Sequence, residues 1–154
     1  MKIFKMLSLA AFVLFAVACS KGGENKGETP SAGGWDNLEQ EWKLVSVDGV
    51  ANDFTVYIKF ESGLFAMYQQ VYTWEYAFYE GEYTVDGGEI NGTYFDGGAW
   101  KTAYTGGVSS DGKYLTLKSK ETTPVTYLYE ACVIPEDVKE EATGTRSVEV
   151  LPFL

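Results

Sequence analysis

The chain has no histidine, only two cysteines and four prolines, and twelve basic residues against twenty-two acidic ones. Each shortage excludes something. Without imidazole, a serine or cysteine nucleophile has to take its base from lysine or a carboxylate, and a common metal ligand is missing. A formal charge of −10 opposes phosphate polymers and anionic headgroups, which argues against nucleic acid as a partner. No apolar run approaches the roughly 20 residues that a membrane-spanning helix needs. Between residues 41 and 133 no stretch repeats its apolar residues with the period of a helix, so helix is not the main building material.

What is present begins at the N-terminus. Lys2 and Lys5 precede an uncharged apolar run over residues 6–18, which ends in Ala16-Val17-Ala18-Cys19. Small residues before a cleavage point, followed by a thiol that can accept diacylglycerol, resemble a bacterial lipobox. The resemblance implies a signal peptide over residues 1–18 and lipid on Cys19, the first residue of the mature protein. Residues 20–37 contain five glycines, one proline and little that is apolar before Trp35. That composition predicts a flexible tether over 19–37, with an end-to-end distance of roughly 20–25 Å. Loss of residues 1–18 removes Lys2 and Lys5 and no acid, leaving ten basic and twenty-two acidic residues, a formal −12. A body so charged is held at the membrane by its acyl chains alone. The expected address is the cell envelope, as an outer-membrane lipoprotein. The first acid after Cys19 is Glu24, behind Lys21, which points to the periplasmic leaflet rather than the surface. Once Cys19 is acylated no disulfide partner remains for Cys132, and its apolar run over 128–134 predicts a buried, inert thiol.

The remainder reads as all-β. Eight candidate strands, 42–47, 54–60, 64–70, 72–85, 90–94, 100–104, 114–119 and 125–132, are separated by turn chemistry such as Asp48-Gly49, Ser62-Gly63 and Asp86-Gly87-Gly88. Phe54, Val56, Ile58 and Phe60 alternate with polar neighbours, the period of a half-buried strand. Sequential short strands with hairpin links predict a small antiparallel eight-stranded up-and-down barrel over 38–133, with a two-sheet sandwich as the alternative. A two-residue turn at Gly87-Gly88 pairs Val85 with Ile90, Tyr83 with Gly92 and Gly81 with Tyr94, so each strand glycine faces a tyrosine that could cover it. A three-residue loop at Asp96-Gly97-Gly98, with Gly98 left-handed, pairs Tyr94 with Trp100 and Gly92 with Thr102. One face of these strands then carries Val85, Tyr83, Ile90, Tyr94, Trp100 and Tyr104. Pro135 and the acids Glu136 and Asp137 start a short helix ending near Ala142. The rest of the 134–154 region is a tail whose last seven residues are too apolar to be left in water, and it is expected to pack back on the body.

At this point the chain resembles a family. Trp42-x-Leu44-Val45-Ser46-Val47-Asp48-Gly49, then Tyr79-x-Gly81-x-Tyr83, then Gly92-x-Tyr94-x-Asp96-Gly97 with Trp100, and finally Ile134-Pro135-Glu136-Asp137-Val138-Lys139 are similar to motifs in the lipocalin-like domains of small lipoproteins from Bacteroidetes-type bacteria. The resemblance covers about residues 38–140 and implies a lipocalin-like barrel and an envelope address.

Catalytic equipment is sparse. Glu80 and Glu82 share a strand face and could form a carboxylate pair, but a solvated face explains them better. Asp86, Asp96 and Asp111 each precede glycine, the signature of a β-turn rather than of a calcium loop with six to eight oxygens. No metal or cofactor is implied, and the protein is expected to bind rather than to catalyse. The unusual feature is the aromatic density between 65 and 104, with Gln69 and Gln70 among the rings. Flat aromatic faces beside amides suit small hydrophobic or glycan-like ligands. The candidate ligand residues are Tyr68, Gln69, Tyr83, Tyr94, Trp100 and Tyr104. The same rings could instead plug the interior. In that case the chain is a structural or accessory subunit of an envelope complex, offering Tyr72, Trp74 and Tyr76 to a protein partner.

Overall fold

Turn chemistry sets the strand ends. Asp48-Gly49, Ser62-Gly63 and Gly87-Gly88 have positive φ at both positions, as two-residue hairpin turns require if their twist is to match the flanking strands. They close on the pairs Val47 and Val50, Glu61 and Leu64, and Asp86 and Glu89.

The computed structural model describes residues 33–71, 73–142 and 151–154. The expected signal peptide, Cys19 and most of the expected tether lie outside the described residues, as do Tyr72 and residues 143–150. Among the described residues are nine antiparallel strands, β1 (Glu41–Val47), β2 (Val50–Ala51), β3 (Thr55–Glu61), β4 (Leu64–Gln70), β5 (Ala77–Asp86), β6 (Glu89–Tyr94), β7 (Tyr104–Val108), β8 (Tyr114–Ser119) and β9 (Thr126–Cys132), and the helix α1 (Glu136–Ala142). From β3 to β9 every strand pairs with its neighbour in sequence, and β1 pairs with both β3 and β9, so the sheet closes on itself in a ring.

Nine strands replace the expected eight because the Asp48-Gly49 turn folds two residues back onto β1. Val50 and Ala51 pair with Val47 and Ser46, while β3 pairs only with the first three residues of β1. The candidate strand 72–85 begins only at Ala77, and the candidate strand 100–104 is displaced to Tyr104–Val108.

The β5–β6 hairpin has the expected register, with Gly81 opposite Tyr94, Tyr83 opposite Gly92 and Val85 opposite Ile90. The covering groups differ from those expected. A Cβ on Gly92 would overlap the Trp100 indole, and one on Gly81 would overlap the Thr93 carbonyl and approach Phe65 Cε1 to 2.8 Å. Gly92 makes room for the Trp100 ring from the link after β6, and Gly81 for the Thr93 backbone and the Phe65 ring, rather than for the tyrosines opposite. Val85, at the strand end, is 41% exposed and is not part of the core.

The next hairpin is corrected by one residue. Its loop is Phe95-Asp96-Gly97, closed by the Gly97 amide donating to the Tyr94 carbonyl at 2.9 Å, and Gly97, not Gly98, has the positive φ. The Asp96 carboxylate accepts from the Gly98 amide at 3.1 Å and holds the turn. Thr93 therefore faces Ala99, and the Trp100 amide donates to the Gly92 carbonyl at 2.9 Å. The expected register is nevertheless reached further along, where Ile90 pairs with Tyr104 and Glu89 with Thr105. Between these two registers residues 91–92 face residues 100–103. The surplus is a bulge, and it carries Trp100 inward.

Alternation along the strands sends Trp42, Leu44, Ile58, Phe60, Phe65 and Met67 to the inner face, all buried. The rings form a connected series. Phe65 meets Tyr94 at 5.4 Å and Trp100 at 5.1 Å, Trp100 meets Tyr104 at 5.9 Å, and Tyr104 meets Tyr127 at 6.1 Å, all edge to face. That is the arrangement ring quadrupoles prefer.

One end of the ring is closed by residues 33–38. The Gly33 amide donates to the Val108 carbonyl at 2.7 Å, and the Val108 amide donates to the Gly34 carbonyl at 2.6 Å. Leu38 is buried, and its carbonyl accepts from the Trp42 indole at 3.0 Å. Gly107, at φ 140°, leaves no room for a Cβ beside the Gly34 carbonyl. Residues 33–37, expected in the tether, thus pack with the body. On the outer face, Val138 and Ala142 of α1 and the preceding Ile134 cover Tyr57 and Tyr68. Glu41 anchors this corner, accepting from the Ile134 amide at 2.6 Å and pairing with Lys139 at 3.3 Å. Cys132 packs beside it, half-buried rather than fully buried. Burial, followed by the charges of Glu41 and Glu130, pushes its thiol up to about 11. A thiol held protonated at neutral pH is a poor nucleophile.

Candidate functional site

The other end of the ring is where β4 stops, β9 starts, and the β2–β3 and β6–β7 links cross. Each contributes one side chain, namely Gln69, Tyr127, Phe54 and Lys101. Residues 151–154 of the same chain lie among them. Leu154 is only 1% exposed and belongs to the core. The Phe153 ring sits between Phe54 at 5.7 Å and Tyr127 at 5.2 Å.

Four backbone groups of this segment are hydrogen-bonded by side chains of the body. The Phe153 amide donates to Gln69 Oε1 at 2.7 Å, and Gln69 Nε2 donates to the Leu151 carbonyl at 3.0 Å. One amide side chain, 1% exposed, thereby engages both the donor and the acceptor of a chain running past it. The Lys101 ammonium donates to the Phe153 carbonyl at 3.3 Å. The Tyr94 hydroxyl donates to the Leu154 backbone oxygen at 2.8 Å. The expected packing of the tail against the body thus holds for residues 151–154.

The six candidate ligand residues are not brought to one place. Gln69 and Tyr94 touch the segment. Trp100 and Tyr104 are buried in the ring series that runs from it into the interior. Tyr83 belongs to the opposite end, where its ring meets Phe60 at 4.9 Å and its hydroxyl approaches Glu39 at 3.5 Å. Tyr68 is on the outer face beneath α1, next to Phe78 at 5.1 Å. Successive strand side chains point to opposite faces, so Tyr68 and Gln69 cannot share one cavity. Phe54, Lys101 and Tyr127 were missed. Phe54 and Tyr127 carry the period-two signal of their segments, whereas nothing local marks Lys101, which reaches the segment from the bulge.

Burial raises the pKa of every tyrosine along the interior. For Tyr94 and Tyr104 the neighbouring phenols add to it, and fully buried Tyr129 is raised well above the ordinary tyrosine range. These hydroxyls are neutral hydrogen-bond donors at any physiological pH. Three buried polar atoms, Asn52 Oδ1, Trp100 Nε1 and the Tyr129 hydroxyl, have no hydrogen-bond partner among the described residues, and the last two are donors. Buried donors left unpaired are uncommon and costly.

Among the described residues, open recesses outside the ring include the following two. One, of about 500 Å³, is lined by Phe54, Gln70, Val71 and Trp74 beside the inserted segment. The other, of about 450 Å³, runs over Leu64, Ala66, Tyr68, Phe78 and Phe95 on the outer face. Trp74 is 94% exposed, whereas Tyr76 turns back to Tyr57 at 6.4 Å. Glu80 and Glu82 are both exposed on the outer face of β5. Among the described residues, no three His, Cys, Asp or Glu side chains gather in a way that could hold a metal ion. No helix among them is long and apolar enough to cross a membrane. Comparison with protein-family models, with curated proteins and with solved structures finds no match to this chain.

Proposed function

We propose that this chain is a lipid-anchored binding protein of the bacterial cell envelope, its lipocalin-like barrel taking a small hydrophobic or glycan-like ligand at the end now filled by residues 151–154. Acyl chains on Cys19 hold it to the outer membrane, in the periplasmic leaflet. The observation that carries this reading is the inserted segment. It occupies an apolar socket with directed polar contacts from Gln69 and Tyr94, the combination that binding pockets use. The unpaired donors of Trp100 and Tyr129 support a guest with acceptor atoms. In this reading the segment gates the pocket, and a ligand must displace it. This reading assigns the protein a binding role and no catalytic one.

A second reading has its own support. Rings and the segment pack the interior, and Trp74, Phe95 and Leu64 are exposed large hydrophobic residues. These fit an accessory subunit that meets an envelope protein with its outer surface. Native mass spectrometry of the lipoprotein purified from its own host separates the two. A co-purifying small molecule supports the pocket, a stoichiometric partner chain supports the accessory subunit, and the bare protein at every concentration counts against both.

A further inference from the structure

We propose that the socket around Gln69 is a peptide-reading site, whose ligand class is an extended apolar segment of the Leu-Pro-Phe-Leu kind presented by another polypeptide. This rests on the binding reading above and narrows its ligand from small apolar molecules to chain segments.

The geometry is that of main-chain recognition. Gln69 takes the amide of one residue and the carbonyl of the residue two before it, at 2.7 and 3.0 Å. A carboxamide has one acceptor and one donor side by side. It can therefore satisfy a chain whose intervening residue presents nothing to it. Pro152 is that residue, and proline has no N–H to leave unpaired. Lys101 takes the Phe153 carbonyl and Tyr94 the Leu154 backbone oxygen, so the contacts engage Leu151, Phe153 and Leu154 and pass over Pro152. Side-chain selectivity comes from the Phe54 and Tyr127 rings around Phe153 and from the core around Leu154. An acyl chain or a steroid offers no alternating amide and carbonyl, and would leave Gln69, buried at 1% exposure, without partners. Peptide chains that meet this description reach an envelope protein as exposed tails of neighbouring proteins or as ends of unfolded chains.

The test uses the full chain carrying Phe153→Asp and Leu154→Asp, which expels its own segment, and a fluorescein-labelled synthetic peptide with the sequence of residues 148–154. Saturable anisotropy binding to this variant is expected, at least about tenfold tighter than to the wild type, whose own segment competes. Adding Gln69→Leu, similar in shape but unable to hydrogen-bond, should weaken the peptide by about tenfold or more, with an unchanged circular dichroism spectrum showing that the fold is kept. Phe153→Ala alone provides a second host that keeps its fold more readily, and the same order of affinities is required of it. Binding of an apolar naphthalene dye or of palmitate without peptide binding would overturn the peptide site and leave the small-ligand reading standing. Equal peptide binding with and without Gln69 overturns it as well. If neither peptide nor dye binds a folded variant, the pocket reading fails together with this one.

Discussion

The indole of Trp100 fills the space over Gly92 that any side chain there would need. A methyl carbon at Gly92 would lie 2.7 Å from Nε1 and 2.8 Å from Cζ2. The indole cannot step aside, because it also meets Phe65 at 5.1 Å and Tyr104 at 5.9 Å. Gly92→Ala is therefore expected to destabilise the fold by about 1–3 kcal/mol, the usual cost of overpacking a core. Urea unfolding checks this, and an unchanged midpoint would mean that the indole does not lie there. Trp100→Leu in the same chain should recover part of the loss by freeing the space.

That pair also marks how far the fold was legible before coordinates. The Gly81, Gly92 and Gly87-Gly88 pattern leads to the correct β5–β6 register because turn type and strand parity are local properties. The bulge at 100–103 is not local. Its two registers differ by two residues, and only the packing of Trp100 into the ring explains the surplus. Tyr68 was grouped with Gln69 by proximity in sequence, which ignores the alternation that sends them to opposite faces. The tail's docking followed from its apolar composition, but Gln69 as its reader depends on where β4 ends relative to the ring, and no sequence pattern states that.

Alkaline pH should unfold this protein in a defined window. Burial raises the folded pKa of Tyr94, Tyr104 and Tyr129 above the ordinary tyrosine value of 10.0, so above that value the unfolded chain loses protons that the folded chain keeps. The stability of these groups is complete below about pH 10 and falls as pH rises towards the folded values, each tyrosine contributing about 1.4 kcal/mol per pH unit to the slope. Melting temperatures from about pH 9 to about pH 12 should decline steeply only in the upper part of that range. Tyrosinate absorbance should show these three ionising together with unfolding. A smooth titration of every tyrosine near its ordinary value, without loss of fold, would contradict the buried phenols.

In the proposed reading, membrane attachment depends on one atom, the Cys19 sulfur. Cys19→Ala is expected to leave an unprocessed or soluble protein that takes up no labelled palmitate in its host, whereas the wild type is labelled and partitions into detergent. Cys19 belongs to the expected tether and not to the strands or the socket, so the melting temperature of the purified domain should not change. Equal labelling of the variant would remove the lipid anchor, while the binding socket would stand unaffected.

Both ends of the ring are closed by the chain itself, and the two closures should respond differently to the same kind of damage. Leu38 and Leu154 are each almost fully buried, so Leu38→Ala and Leu154→Ala should each destabilise by about 2–5 kcal/mol, the range for truncating a core leucine. Their effects on access to the interior should diverge. Behind Leu38 the closure is stitched by backbone hydrogen bonds from Gly33 and to Gly34, and by the Trp42 indole to the Leu38 carbonyl, none of which needs the leucine side chain. Behind Leu154 the segment is held by side chains, with Gln69, Tyr94 and Lys101 supplying its hydrogen bonds. Loss of the leucine anchor leaves those few contacts to hold residues 151–154 against the entropy of release. Leu154→Ala should therefore increase uptake of an apolar naphthalene dye severalfold in the folded chain, while Leu38→Ala, matched for lost stability, should not. Fluorescence titration at a temperature well below both melting transitions makes the comparison. Equal uptake by the two variants would mean that dye reports general loosening, and residues 151–154 would then be ordinary core rather than a gate.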